Sequence, residues 1–206
     1  INNQLVHLVD EGIDTGPIIS YKTSIFSSSC KIPLDFEENA QANFLQFYKQ
    51  FIINVKKNTK FELKHQVDYL GRYNPRLSTE HNSYINWSWD ANELYNFINA
   101  FDEPYLGSTT YLNRGKFGKL HIKSAHLHGG DSSNHPFMAG IVSRHDRDWI
   151  VVCTSTKHVL LIEKIIDSKG ENILSQIKVG DRFYTPNEKL ENSLSKRIIY
   201  TSKGLK

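Results

Sequence analysis

The spacing of apolar positions changes along the chain, and each change marks an element. Leu5, Val6, Leu8 and Val9 form an apolar run of strand type. A polar stretch from Asp10 to Gly16 follows, and Pro17-Ile18-Ile19 leaves on a second short strand. Tyr21 to Ile25 alternates, and Ser27-Ser28-Ser29 reads as a loop. From Asp35 to about Lys57 the residues Phe36, Ala40, Phe44, Phe47, Phe51 and Val55 recur three or four apart, the spacing of one helix face. Pro33 and Asp35 mark its start and Asn58-Thr59 its end. Glu37 and Glu38 lie in the first turn and Lys56-Lys57 in the last, which suits the helix dipole. This aromatic stripe is expected to pack on the two strands.

Residues 61–84 are polar, contain Gly71 and Pro75, and hold no sustained period, so they read as a linker. A second helix follows Ile85-Asn86-Trp87-Ser88-Trp89. Asp90 can cap it with Glu93 three residues on, and Leu94, Phe97, Ile98 and Phe101 form its apolar stripe. Asp102-Glu103-Pro104 stops it, and Tyr105-Leu106-Gly107 turns the chain into strands. Strands are predicted at 108–112, 119–128, 137–144, 149–154 and 159–166, with a short helix at 187–194 and a closing strand at 197–200. Lys119-Leu120-His121-Ile122-Lys123 alternates as a half-exposed strand should. Short strands at this spacing predict a closed, OB-like barrel. The domains read as 1–60, 85–206 and a linker between them.

Candidate chemistry centres on the loop between the first two strands. Gly12 and Gly16 allow turns that residues with a Cβ resist. They place Asp14 at a strand edge, near backbone amides and apolar side chains, where a carboxylate can act in proton transfer. On its own, an Asp-x-Gly loop is most often only a turn.

The string His7-x6-Asp14-Thr15-Gly16-Pro17-Ile18-Ile19 resembles the signature of the formyltransferases that use 10-formyltetrahydrofolate. The resemblance implies that Asp14 belongs to a catalytic trio with an asparagine and a histidine, which orders a water and shuttles protons while an amine attacks the formyl carbon. It implies that Val9, Asp10, Glu11, Gly12 and Ile13 line the folate pocket, largely through backbone groups. His7 reads as a core histidine or as support for Asp14, and support is the preferred reading over a direct catalytic role. Gln66 and Arg72-Tyr73-Asn74-Pro75-Arg76 resemble the linker of the methionyl-tRNA and amino-sugar branches. Ile85-Asn86-Trp87, the capped helix and Glu103-Pro104-Tyr105-Leu106-Gly107 are similar to the start of the C-terminal domain of methionyl-tRNA formyltransferase. There Leu106 stands where proline is usual. The implied fold is an α/β remnant of a formyltransferase Rossmann-like domain followed by a mainly β, OB-like barrel. No Asn-x-His sequence stands in an equivalent position, so the chain reads as a C-terminal fragment that is inactive alone.

Composition narrows this further. The 206 residues are 39% hydrophobic and 23% charged, ordinary for a globular protein. No apolar run reaches membrane-spanning length, and no basic leader opens the chain, so a cytoplasmic protein is expected. Cys30 and Cys153 form no framework, and neither reads as a nucleophile. His121, His126, His128 and His135 lack a partner at zinc-type spacing, so no metal is expected.

A tRNA-binding barrel needs a basic face. Residues 86–206 hold only 16 Lys+Arg against 13 Asp+Glu, with Arg114, Lys116, Lys119 and Lys123 the best cluster. The expected acceptor is therefore a small amine, on a nucleotide-linked sugar. Initiator tRNA is the alternative, and a non-catalytic barrel that binds RNA or a protein partner is the reading from another class.

Overall fold

A computed structural model of the chain describes residues 1–12, 14–67, 74, 77–113, 117–130, 132–196, 199–201 and 204–205. The chain divides into two compact units, Ile1–Asn74 and Pro75–Lys206. No helix among the described residues is long and apolar enough to cross a membrane.

In the first unit, β1 (Asn2–His7) pairs antiparallel with β2 (Ile18–Ser24), and the register shifts between Val6 and His7. Helix α1 (Pro33–Lys56) follows. Asp35 accepts from the Lys31 and Ile32 amides at 2.8 and 3.1 Å, and the Lys31 bond is the chief cause holding its carboxyl below the usual range. The helix ends where the sequence places the stop. Asn58 takes a left-handed φ of 54°, its N–H donates to Val55 O, and Thr59 N–H donates to Asn54 O, which is a Schellman end.

The aromatic stripe of α1 is only partly covered. Phe47 is buried, and Phe51 meets Phe61 at 5.4 Å, but Phe36, Phe44 and Val55 remain exposed. The expected packing of the whole stripe on the strands does not occur. A helix of 24 residues is about 36 Å long, more than a two-stranded sheet can cover.

The second unit has its own core. After α2 (Thr79–Asn82), helix α3 (Ala91–Ala100) begins at the expected capping box. Asp90 accepts from the Asn92 and Glu93 amides at 2.7 and 3.0 Å, and Glu93 accepts from Asp90 N–H at 3.2 Å. Leu94, Ile98 and Phe101 are buried, while Phe97 packs edge-on against Trp89.

The chain then forms β3 (Ser108–Leu112), β4 (Leu120–Gly129), β5 (Val142–His145), β6 (Ile150–Cys153), β7 (His158–Asp167) and β8 (Phe183–Tyr184). These make one antiparallel sheet in the order β5-β6-β7-β4-β3-β8. The sheet curls until its ends meet: Val142 N–H donates to Asp181 O at 2.8 Å, and Phe183 N–H donates to Gly140 O at 2.8 Å. Ile122, Leu160, Ile162 and Phe183 fill the interior with Ile85, Leu94 and Ile98. Helix α4 (Asn187–Ser195) and the short pair β9 (Tyr200–Thr201) and β10 (Gly204–Leu205) follow.

Two strand expectations need correction. The strand predicted to begin at Phe137 begins at Val142, because Pro136 starts a 3₁₀ turn over Pro136–Met138. The closing strand predicted at 197–200 begins at Tyr200, and its Arg197 lies outside the described residues.

The Lys119–Lys123 stretch is not half-exposed either. His121 and Lys123 are 8% and 6% exposed, and Lys123 Nζ meets Glu103 at 2.9 Å. Lys123 therefore offers no free cation to a nucleic acid. Lys119 sits over the Tyr84 ring at 5.8 Å, and Arg114 and Lys116 lie outside the described residues.

Burial is the main cause that pulls the His121 pKa below its ordinary value, while the Gly107 carbonyl acts the other way. The unfolded chain thus binds a proton in a window where the folded state does not, so stability falls as pH drops below about 6.5. Melting at about pH 7.5 and about pH 5 should give the lower midpoint in acid, and His121→Gln should shrink the difference. An equal difference in the variant would show that another group sets it.

Candidate functional site

The loop from Leu8 to Pro17 is closed at its base, where Leu8 N–H donates to Pro17 O at 2.9 Å. Asp10 braces its interior. Its Oδ1 accepts from the Gly12 amide at 3.1 Å and from the Thr15 hydroxyl at 2.6 Å. The two glycines work differently from the expected turns, because neither has a positive φ. A Cβ on Gly16 would fall 1.7 Å from the Leu8 carbonyl oxygen, so close backbone approach excludes any side chain there. A Cβ on Gly12 would fall 2.1 Å from the Thr15 hydroxyl and displace the Asp10 brace.

The left-handed residue is Asp14 itself, at φ 56°. That region costs a residue with a Cβ about 1–2 kcal/mol, and aspartate is among the residues that tolerate it best. The cost is offset by the loop's own bonds, each contributing about 0.5–1.5 kcal/mol net. One set comes from fifty residues away, where the Gln66 side-chain amide donates to Asp14 O at 2.7 Å and to Gly16 O at 2.8 Å.

The division of labour among the acidic residues follows from these contacts. Asp10 is occupied by the brace, whereas the Asp14 side chain is 87% exposed and open to a reactant. The strand-edge position near apolar side chains, expected from the sequence, leaves the carboxylate exposed. His7 is the neighbour brought to Asp14, with Nε2 at 3.5 Å from Oδ1.

The His7 Nδ1 lies 2.8 Å from Leu8 O. A carbonyl only accepts, so Nδ1 carries the hydrogen and Nε2 is left facing the carboxylate.

Val9, Asp10, Glu11 and Gly12 form the exposed outer rim, with Val9 92% exposed, and Ile13 lies outside the described residues. Of the linker resemblance, Arg72, Tyr73, Pro75 and Arg76 also lie outside them, while Gln66 lies at the loop. Its sequence context gave no sign of the two bonds it makes. The single local cue is Lys64, whose backbone pairs with Ile18 and carries Gln66 alongside Gly16.

Among the described residues, two clefts lie elsewhere, and neither includes Asp14. One of about 380 Å³ lies between β1 and α1, lined by Asn2, Gln4, Leu5, Ala40 and Phe44. Gln4 is 4% exposed, and among the described residues its Oε1 has no partner, as is also true of Asn2 Nδ2. The other, of about 240 Å³, lies in the second unit beside Trp87, Arg182 and Phe183. Among the described residues no three His, Cys, Asp or Glu side chains converge in a metal-holding group. His126 instead meets Glu163 at 3.4 Å on the exposed face of β4 and β7.

A capped helix leads into the curled antiparallel sheet of the second unit. The family model described as formyl transferase, C-terminal domain, matches residues 77–177, and that region is a formyltransferase C-terminal domain.

Solved structures of similar fold include the N-formyltransferase from Helicobacter canadensis, in complex with folinic acid and dTDP-3-aminofucose. It is 19% identical, with a TM-score of 0.52 over 78% of this chain and 55% of that one. WlaRD, a sugar 3N-formyl transferase solved in the presence of dTDP and 5-N-formyl-THF, is 18% identical, with a TM-score of 0.51 over 78% of this chain and 54% of that one. A variant of HypX from Aquifex aeolicus is 16% identical, with a TM-score of 0.53 over 82% of this chain and 28% of that one. The chain thus spans about half the length of the first and second of these proteins. No curated protein sequence matches it.

Proposed function

We propose that the chain is part of an N-formyltransferase that moves a formyl group from 10-formyltetrahydrofolate to a primary amine on a nucleotide-linked sugar. The observation that carries this reading is the braced loop, which leaves Asp14 free beside an oriented His7, in a chain whose second unit is a formyltransferase domain. Asp14 is the proton-relay carboxylate. The amine nitrogen bonds to the formyl carbon, and the nitrogen of the folate leaves with its electron pair and takes up a proton. The proton lost by the amine passes through Asp14 and water, and a formamide and tetrahydrofolate result.

The rim from Val9 to Ile13 is assigned to the folate. The formyl-folates and the dTDP-linked amino sugar found with the similar enzymes support the choice of donor and acceptor. The remaining members of the trio, an asparagine and a histidine, are assigned to a segment outside these residues, so the chain alone is expected to be inactive.

Three features of the first unit support its being one part of a larger α/β sheet. Among the described residues, β1 pairs with β2 alone, the face of α1 carrying Phe44 and Tyr48 is exposed, and the buried atoms Gln4 Oε1 and Asn2 Nδ2 lack partners. The curled sheet of the second unit is read as an OB-like barrel, supported by the bonds between its two ends.

Side-by-side assays of the complete enzyme with a dTDP-linked amino sugar and with methionyl-tRNA test the reading. Formylation of the sugar is expected. Exclusive formylation of the tRNA would overturn the acceptor, and no transfer to any amine would overturn the activity.

A further inference from the structure

We infer that Gln66 is the positioning residue that sets the direction of the Asp14 carboxylate, an assignment that rests on the proposed formyl transfer at Asp14. The backbone bonds between Lys64 and Ile18, at 2.8 and 2.9 Å, add the segment after α1 to β2 as a further short rung. Two residues on, the Gln66 side chain reaches the loop. Both hydrogens of its amide are used, one on Asp14 O and one on Gly16 O, so the Asp14–Thr15 and Gly16–Pro17 peptide planes are fixed together.

Asp14 needs such an anchor more than an ordinary loop residue does. Its φ of 56° is one of several ways to span the loop, and its side chain is 87% exposed, so no packing holds it. The Asp10 brace ties Gly12 and Thr15 but makes no bond to Asp14. Gln66 alone, among the described residues, bonds to the Asp14 backbone from outside the loop.

The chemistry of the clamp excludes close substitutes. Glutamate has the same shape but no donor, and it would set a negative oxygen against two carbonyl oxygens. Asparagine is one methylene shorter and cannot reach both acceptors from the same backbone. The function of Gln66 is thus carried by its N–H pair, not by its size or polarity.

Gln66→Ala, Gln66→Glu and wild type are compared in the complete enzyme. Amide hydrogen exchange across residues 8–17 should accelerate about tenfold in Gln66→Ala, the scale of one to two lost hydrogen bonds, and further in Gln66→Glu, while α1 is unchanged. With a dTDP-linked amino sugar as acceptor, kcat should fall about tenfold or more and KM should stay within about threefold, because the reactant is bound but the relay is misdirected. Gln66→Glu should be the slower variant despite its matched shape.

Unchanged loop exchange in both variants would overturn the clamp. Faster exchange with wild-type kcat, or a rise in KM alone, would overturn the positioning role. A wild-type enzyme that transfers no formyl group would overturn the catalytic assignment with the reading it rests on, and the exchange arm would then decide by itself whether Gln66 holds the loop.

Discussion

Asp14→Asn in the complete enzyme is expected to lower formyl transfer by about 10²–10⁴-fold, the range of a lost general acid or base, and to leave folding almost unchanged. Asparagine is the sharpest probe because of where the residue sits. At φ 56° alanine would add backbone strain to the loss of charge, whereas asparagine tolerates that region as well as aspartate does. The side chain is 87% exposed and, among the described residues, its oxygens hold no structural bond beyond the His7 approach, so little stability is at stake.

Asp14→Gly sharpens the comparison. It removes the carboxylate and relieves the left-handed backbone, so it should melt at or slightly above the wild-type midpoint while remaining as inactive as the asparagine variant. The paired measurement is initial rate against melting temperature for both variants. Retained turnover in Asp14→Asn would remove the residue from the mechanism. A shared loss of rate and midpoint would mean that the loop, not the charge, had been damaged.

The contrast between Asp14 and Gln66 explains which parts of this site were legible in the sequence. The loop, its flanking strands and the His7–Asp14 pair lie within twenty-three residues, and local turn chemistry announces the loop and the strands. The Schellman end at Asn58 and the capping box at Asp90 were legible for the same reason, since each is decided by residues at most five apart. Gln66 bonds to acceptors fifty and fifty-two residues away, and no local pattern encodes that meeting.

The exposure of Asp14 and of the α1 stripe was misjudged through the same gap. Periodicity says which residues share a face, but it does not say whether anything covers that face. At His121 and Lys123 the error ran the other way. A polar face that alternation assigns to solvent is buried against Gly107, Thr109 and Glu103, groups supplied by β3 and by the turn between α3 and β3.

The largest stability effect is expected at Phe183, where the two ends of the curled sheet meet. Phe183 is 1% exposed, stacks on Trp87 at 5.7 Å, pairs with Leu112 across β3 and donates its N–H to Gly140 O. Gly140 is itself fixed by the approach, because a Cβ there would fall 2.2 Å from Phe183 O. The Trp87 indole is anchored in turn by its bond to the Thr110 hydroxyl at 2.9 Å, so the stack cannot slide to fill a void.

Phe183→Ala should therefore cost about 3–5 kcal/mol, the upper range for a core aromatic whose surroundings cannot collapse. For a unit of this size that is a drop in midpoint of roughly 10 °C or more. Tyr184→Ala on the same strand removes a ring that is 41% exposed and should cost much less than Phe183→Ala. Chemical denaturation of both variants beside wild type decides the matter. A loss below about 1 kcal/mol at Phe183 would mean that the seam between β5 and β8 does not hold the sheet closed, and that its closure rests on the long β4–β7 pairing instead.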